Sequence, residues 1–197
     1  QISHPLYQCE SIIPLVFDDR IISIATHFFQ CTPAITNVNF RLSKSQKNFQ
    51  DPNALVKLDL IQAQEAFDNL PQTAMTTCFH LDHDSARFLK FFIYLTDVGI
   101  DNGPFTYVEG SHLHKPHDWR SNQQRRPDYE ILREYGYDRV KHLTGKKGDL
   151  IIANTHGYHK GQFIKEGERL LLTIYYGCHP TEFRPTFGGK MKKSDFE

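Results

Sequence analysis

The hexapeptide "FHLDHD", residues 79–84, holds two histidines and two aspartates in six positions. On an extended chain residues i and i+2 share a face. His80 and Asp82 therefore point into one cavity, with Asp84 on the same face and His83 on the other. A metal ion needs a third ligand from elsewhere in the chain. The source is "IIANTHGYHKG" (151–161), where His156 and His159 follow the apolar strand "DLIIA". Two histidines and one carboxylate on one face of an octahedron form the triad that suits non-haem Fe(II), with three positions left open. An isolated His-x-Asp is also an ordinary polar surface motif, so the pair alone decides nothing.

Ten residues past His159, Arg169 opens "RLLLTIYYG" (169–177). If that strand turns Arg169, Thr173 and Tyr175 inward, an arginine enters the same cavity. A buried guanidinium requires an anionic partner. A carboxylate fits it through a bidentate pair. A structural Asp or Glu would serve as well as a ligand.

These residues need strands to carry them. "ITNVNFRLS" (35–43) alternates as a strand does, and from residue 74 short strands separated by turn residues follow at 75–82, 87–97, 105–109, 148–153 and 169–177. In "RFLKFFIYLTDV" one face is apolar (Leu89, Phe91, Ile93, Leu95) and should pack against a second layer. The other (Phe88, Lys90, Phe92, Tyr94, Thr96) mixes aromatic and polar groups and suits a cavity wall. "DNGP" (101–104) supplies a turn.

Ahead of the strands, residues 11–30 carry a helical pattern after Pro14, with Ile21, Ile22, Ala25 and Phe28 at helical spacing, and 53–70 is a second helical stretch. The division expected is one domain over 1–197: an α-containing front with one strand (1–73), a β core (74–179) interrupted by a polar insertion (113–142), and a polar tail (180–197). The insertion holds one helical pattern, "PDYEILREYGY", and the only tryptophan, Trp119, close to Arg120, Arg125 and Arg126. It reads either as a lid that meets an anionic substrate or as a solvated excursion.

Composition narrows the partners. Lys+Arg and Asp+Glu both number 23, so no net field draws in nucleic acid. No apolar run of ~18 residues is present to span a membrane. Cys9, Cys31, Cys78 and Cys178 form no Cys-x-x-Cys pair, which speaks against a structural zinc site and for free thiols. With no secretory signal visible, the expected location is cytoplasmic. The chain opens on Gln1 rather than Met, as a processed chain or a fragment would.

Together, "FHLDHDSARFLKFFIYLTDVGIDNGPFTYVEGSH" (79–112) and "GDLIIANTHGYHKGQFIKEGERLLL" (148–172) resemble the phytanoyl-CoA dioxygenase family of Fe(II)- and 2-oxoglutarate-dependent oxygenases. The resemblance runs from about residue 35 to residue 177. It rests on four elements in order: His-x-Asp, the "LTD…NGP…GSH" segment, the distal His after a Gly-Asp strand, and the Arg beyond it.

The resemblance implies a mainly β fold with flanking helices, a double-stranded β-helix of the jelly-roll, cupin-like type. It implies His80, Asp82 and His159 as the metal ligands and catalytic centre. His159 is preferred to His156 because "GYHKG" matches the family's pattern. It implies Arg169 as the partner of the distal carboxylate of 2-oxoglutarate, with Lys90 and Phe92 as further co-substrate contacts. Some members place a Ser two residues after the distal His, where this chain has Gly161. The implied cofactors are Fe(II), 2-oxoglutarate and O2. The implied reaction is hydroxylation, or another oxidation, of a small organic substrate with release of succinate and CO2. Related halogenases have Ala in place of the ligand carboxylate, so Asp82 argues for hydroxylation or another oxidation. Two other readings stand beside this one: a cupin-like metal-binding or sensing domain without turnover, and a metal-free β-sandwich interaction module.

Overall fold

The computed structural model describes residues 9–45, 77–83, 86–119 and 125–178. Two short segments lead in: a 3-10 turn at Glu10–Ile12 and the helix α1 (Ile13–Val16), with Pro14 in its first turn. Helix α2 (Asp19–Phe29) follows, capped by Asp18, whose carboxylate accepts the Arg20 backbone N–H at 2.9 Å. Its core face is Ile21, Ala25 and Phe29. The sequence pattern named Phe28 and Ile22 instead of Phe29; both are only half-buried.

Among the described residues seven strands follow: β1 (Ala34–Lys44), β2 (Phe88–Tyr94), β3 (Phe105–Val108), β4 (Val140–Leu143), β5 (Leu150–Ala153), β6 (His159–Gly161) and β7 (Glu168–Gly177). They form a four-stranded sheet in the order β1-β7-β2-β5 and a three-stranded sheet in the order β4-β3-β6. All the strand pairs are antiparallel. This is the mainly β, jelly-roll architecture that the resemblance implied.

The two faces of β2 behave as its alternation requires. Leu89, Phe91 and Ile93 pack with Leu172, Ile174 and Tyr176 of β7 beneath Val16, Ile21, Ala25 and Phe29 of the helices. Phe92 and Tyr94 turn the other way and meet Val98 and Phe105 between the sheets. Tyr94 ties the layers together: its hydroxyl accepts the Phe105 N–H at 2.9 Å and donates to Leu143 O at 2.7 Å.

Three expectations need correction. Residues 77–83 do not form a strand: Phe79 and His80 make isolated bridges to Arg126 and His159. Alternation nevertheless persists there, with Phe79 and Leu81 buried in one cluster and His80 and Asp82 turned the other way. Strands β4 and β6 were not anticipated, because "VKHL" and "HKG" carry no apolar alternation of their own and are recruited by β3 on either side.

Of the insertion's residues, Arg125 lines the cavity between the sheets, whereas Trp119 belongs to the core. It is 6% exposed and packs with Phe79, Ile131 and Tyr158, while the Arg126 guanidinium lies over its ring at 4.4 Å and pairs with Glu130 at 3.0 Å. The helix expected in "PDYEILREYGY" is α3 (Asp128–Tyr135). The stretches 53–70 and 180–197, with Asp84 and Arg120, lie outside the described residues.

Candidate metal centre

His80 and His159 come from segments far apart in sequence and are joined directly. His80 N–H donates to His159 O and His159 N–H to His80 O, both at 3.0 Å. Asp82 is held two residues on by its own N–H, which donates to Thr155 O at 3.0 Å. The ligating atoms of His80, Asp82 and His159 all lie within 4.8 Å of one another.

The imidazoles are oriented by backbone. His80 Nδ1 is 3.0 Å from Cys78 O, and His159 Nδ1 is 3.0 Å from Gly157 O. A carbonyl only accepts, so each Nδ1 carries a proton and donates it. Each Nε2 is left to face the shared centre, the arrangement that fixes metal-binding histidines. His159 Nε2 stands 3.2 Å from Asp82 Oδ2, and His80 Nε2 4.0 Å from Oδ1. An imine nitrogen and a carboxylate oxygen at 3.2 Å repel one another unless a positive charge, a proton or a metal ion, lies between or beside them.

Burial, and next the neighbouring His159, push the His80 pKa down to about 3, so at neutral pH its Nε2 keeps a free lone pair. Burial works against the Asp82 charge too. A proton on His159 in the metal's place, and the Lys90 ammonium, outweigh it and hold the carboxyl well below the usual range.

The triad opens onto a cavity of about 460 Å³ between the two sheets. Asn39 and Arg41 of β1, Lys90 and Phe92 of β2, and Arg169, Leu171, Thr173 and Tyr175 of β7 line it, with Phe105, Gly161 and, from the 113–142 insertion, Arg125. Phe92 stacks on Phe105 at 4.5 Å, and Phe105 lies 5.6 Å from the His159 ring, so an aromatic wall backs the centre.

Arg169 is 6% exposed. Its Nη1 donates to Gly103 O, and among the described residues its buried Nε has no hydrogen-bond partner. Burial lowers its pKa from the ordinary arginine value. The glycine two residues past His159 now has a physical reason: a Cβ at Gly161 would lie 3.0 Å from Arg169 Nη2. Gly103 is equally constrained, with φ of 70° and a would-be Cβ 2.4 Å from Gln162 O.

Lys90 sits elsewhere in the cavity. Its Nζ donates to Asp82 Oδ2 at 2.6 Å and lies over the Tyr175 ring at 4.2 Å. His156 stays out of the triad: its ring packs on Phe88 at 4.3 Å and near His83 at 6.3 Å. The sequence reading passed over Asn39 and Arg41. The signal was there in "NVNFR", where polar residues alternate with apolar ones along one strand face.

Beneath the centre, Lys160 is 1% exposed and its Nζ reaches both Asp128 carboxylate oxygens, at 2.7 and 2.6 Å. This ion pair clamps β6 to the first turn of α3.

Comparison with known proteins bears on the fold and the family. Among solved structures, the carbocyclase SnoK from nogalamycin biosynthesis, described as non-heme and alpha ketoglutarate dependent, superposes with a TM-score of 0.57 at 18% identity, over 89% of this chain and 61% of SnoK. EctD from S. alaskensis with bound Fe gives 0.57 at 16% identity, over 89% of this chain and 56% of EctD. HygX from Streptomyces hygroscopicus, with nickel and 2-oxoglutarate bound, gives 0.54 at 20% identity, over 96% and 73%. At these identities the likeness is one of fold, and the chain spans about three fifths of SnoK's length. No curated protein matches the sequence. The profile described as Phytanoyl-CoA dioxygenase (PhyH) matches residues 15–163, a span that runs from the helical front past His159, and the chain belongs to that family.

Proposed function

We propose that this protein is an Fe(II)- and 2-oxoglutarate-dependent dioxygenase that hydroxylates, or otherwise oxidises, a small organic substrate and releases succinate and CO2. The observation that carries this reading is the meeting of two Nε2 atoms, both oriented by backbone carbonyls, with one carboxylate at the wall of a cavity that also holds a buried arginine. Two neutral imidazoles and a carboxylate match Fe(II) and leave open positions. When bound, Fe(II) with 2-oxoglutarate supplies the oxygen-activating chemistry.

The chain's own residues do the rest. His80, Asp82 and His159 provide the three ligand atoms. Arg169 offers its guanidinium edge to the far carboxylate of the co-substrate, and that anion answers the unpartnered Nε. Gly161, beside the guanidinium, is two residues from His159, ~7 Å along a strand. This is of the order of the length of a five-carbon diacid, four C–C bonds of ~1.5 Å. Phe92 and Phe105 shut water out behind the centre and strengthen the charge pairing within it.

Asp82 keeps a carboxylate at the third ligand position, which supports oxidation by hydroxyl transfer rather than halogenation. The test is Fe(II)-dependent conversion of 2-oxoglutarate to succinate across a broad metabolite panel. Stimulation of succinate release by a panel compound is the expected result. Stoichiometric Fe(II) binding with no succinate from any compound would favour a metal-binding or sensing domain.

A further inference from the structure

We infer that Lys90 is a positioning residue of the metal centre, which holds the Asp82 carboxylate in its ligating orientation, and that it is not a co-substrate contact. The inference rests on the reading of His80, Asp82 and His159 as metal ligands.

The geometry favours this role in three ways. First, the contact is short and sheltered: Nζ donates to Asp82 Oδ2 at 2.6 Å from a side chain 5% exposed. Second, the ammonium is caged. It lies 4.2 Å from the Tyr175 ring centroid and 5.5 Å from that of Phe88, so two aromatic faces fix where its charge sits. Third, strand register sets it apart from Arg169. Lys90 pairs with Tyr175 on β7, six residues from Arg169, which is ~20 Å of strand. Arg169 turns its guanidinium towards Gly103 and Gly161, whereas Lys90 turns to Asp82.

A ligand carboxylate on a short, irregular segment needs such a partner. Among the described residues Asp82 stands beyond the isolated bridge of His80 and outside any ladder, anchored by one backbone hydrogen bond to Thr155. Its χ angles are free unless something binds one oxygen. Lys90 does so from the most buried strand of the large sheet, whose seven residues are all buried. Groups that orient metal ligands in this way commonly change metal affinity 10- to 100-fold when removed.

The sign of the effect separates orientation from simple charge. An ammonium beside a dication repels it, so if Lys90 acted through its charge alone, its loss would tighten metal binding. If it orients Asp82, its loss weakens binding.

The experiment is calorimetric titration of Mn(II), a redox-quiet probe, into metal-free wild type, Lys90→Met and Lys90→Arg, followed by 2-oxoglutarate into each Mn(II)-loaded protein. Met keeps the stem and drops the donor. The inference expects Mn(II) affinity to fall about 10- to 100-fold in Lys90→Met, to recover at least in part in Lys90→Arg, and 2-oxoglutarate affinity of the loaded proteins to stay within about threefold, under ~0.7 kcal/mol. Unchanged or tighter Mn(II) binding in Lys90→Met overturns it. So does a selective loss of 2-oxoglutarate affinity, which would place Lys90 with Arg169. Should Lys90→Met fail to fold, Lys90→Arg decides alone: Mn(II) affinity at or below that of wild type with 2-oxoglutarate affinity within about threefold supports the inference, and tighter Mn(II) binding, or loss of 2-oxoglutarate affinity with Mn(II) affinity intact, overturns it. Failure of the wild type to bind Mn(II) at all would instead remove the metal reading on which the inference stands.

Discussion

His80 and His159 each donate a backbone N–H to the other's carbonyl at 3.0 Å, and their rings lie 4.4 Å apart. This reciprocal pair fastens the segment before β2 to β6 at the point where the ligands are needed. The side chains follow from it: with the two Cα positions fixed and each Nδ1 tied to a carbonyl, both Nε2 atoms face Asp82.

Removing a ligand should therefore remove the site. His80→Ala, Asp82→Ala and His159→Ala are each expected to lose stoichiometric Mn(II) or Fe(II) binding. His156→Ala should retain it, since that ring packs on Phe88 instead. Metal titration of the four variants checks this. Retention in His159→Ala together with loss in His156→Ala would transfer the distal role.

Arg169→Ala should weaken 2-oxoglutarate and leave the metal in place. A charge-assisted hydrogen bond contributes about 1.5–3 kcal/mol, roughly a 10- to 150-fold loss of affinity. Titration of 2-oxoglutarate into the Mn(II)-loaded variant reads it, and unchanged affinity would remove Arg169 from the co-substrate site.

Gly161→Ala should act through Arg169. The added methyl falls 3.0 Å from Nη2 of a guanidinium already held by Gly103 O, so it displaces the group. Weaker 2-oxoglutarate binding than in wild type is expected, with a smaller loss than in Arg169→Ala. Equal or tighter binding would show that the guanidinium gives way without consequence.

Lys160→Met should cost stability instead. It removes the ammonium paired with the Asp128 carboxylate at the foot of α3, and breaking a buried pair costs about 3–5 kcal/mol. Asp128 is 17% exposed at its side chain, so the lower end, about 3 kcal/mol, is expected. For a chain of this size that lowers Tm by roughly 6–12 °C. A thermal melt within ~2 °C of wild type would contradict it.

The candidate site was legible in the sequence where side-chain type and spacing are themselves the chemistry. His80, Asp82, His159 and Arg169 were singled out from their spacing and a family resemblance, and the structure brings them to one cavity. The two faces of β2 were legible because alternation on a fully buried strand is unambiguous. The short elements were not. "HKG" becomes β6 only because β3 pairs with it, and Phe79-His80 pairs only through single bridges, so neither leaves a local pattern. The insertion's Trp119 and arginines, read together as a lid, divide: Trp119 is core with Phe79 and Tyr158 under the stacked Arg126, whereas Arg125 lines the cavity. Charge beside an aromatic does not reveal which of them meets solvent. Exchanging 113–142 for a flexible linker would strip that cluster of Trp119 and Ile131, so loss of the fold is the expected outcome.

The central claim is that one metal ion and one 2-oxoglutarate share this cavity, joined at the triad and held at the far end by Arg169. Titration of 2-oxoglutarate into the protein with and without Mn(II) tests it most directly. One 2-oxoglutarate per chain, bound only in the presence of Mn(II) and lost in Asp82→Ala, is the result expected. Binding that is indifferent to Mn(II), or no binding in its presence, would contradict it.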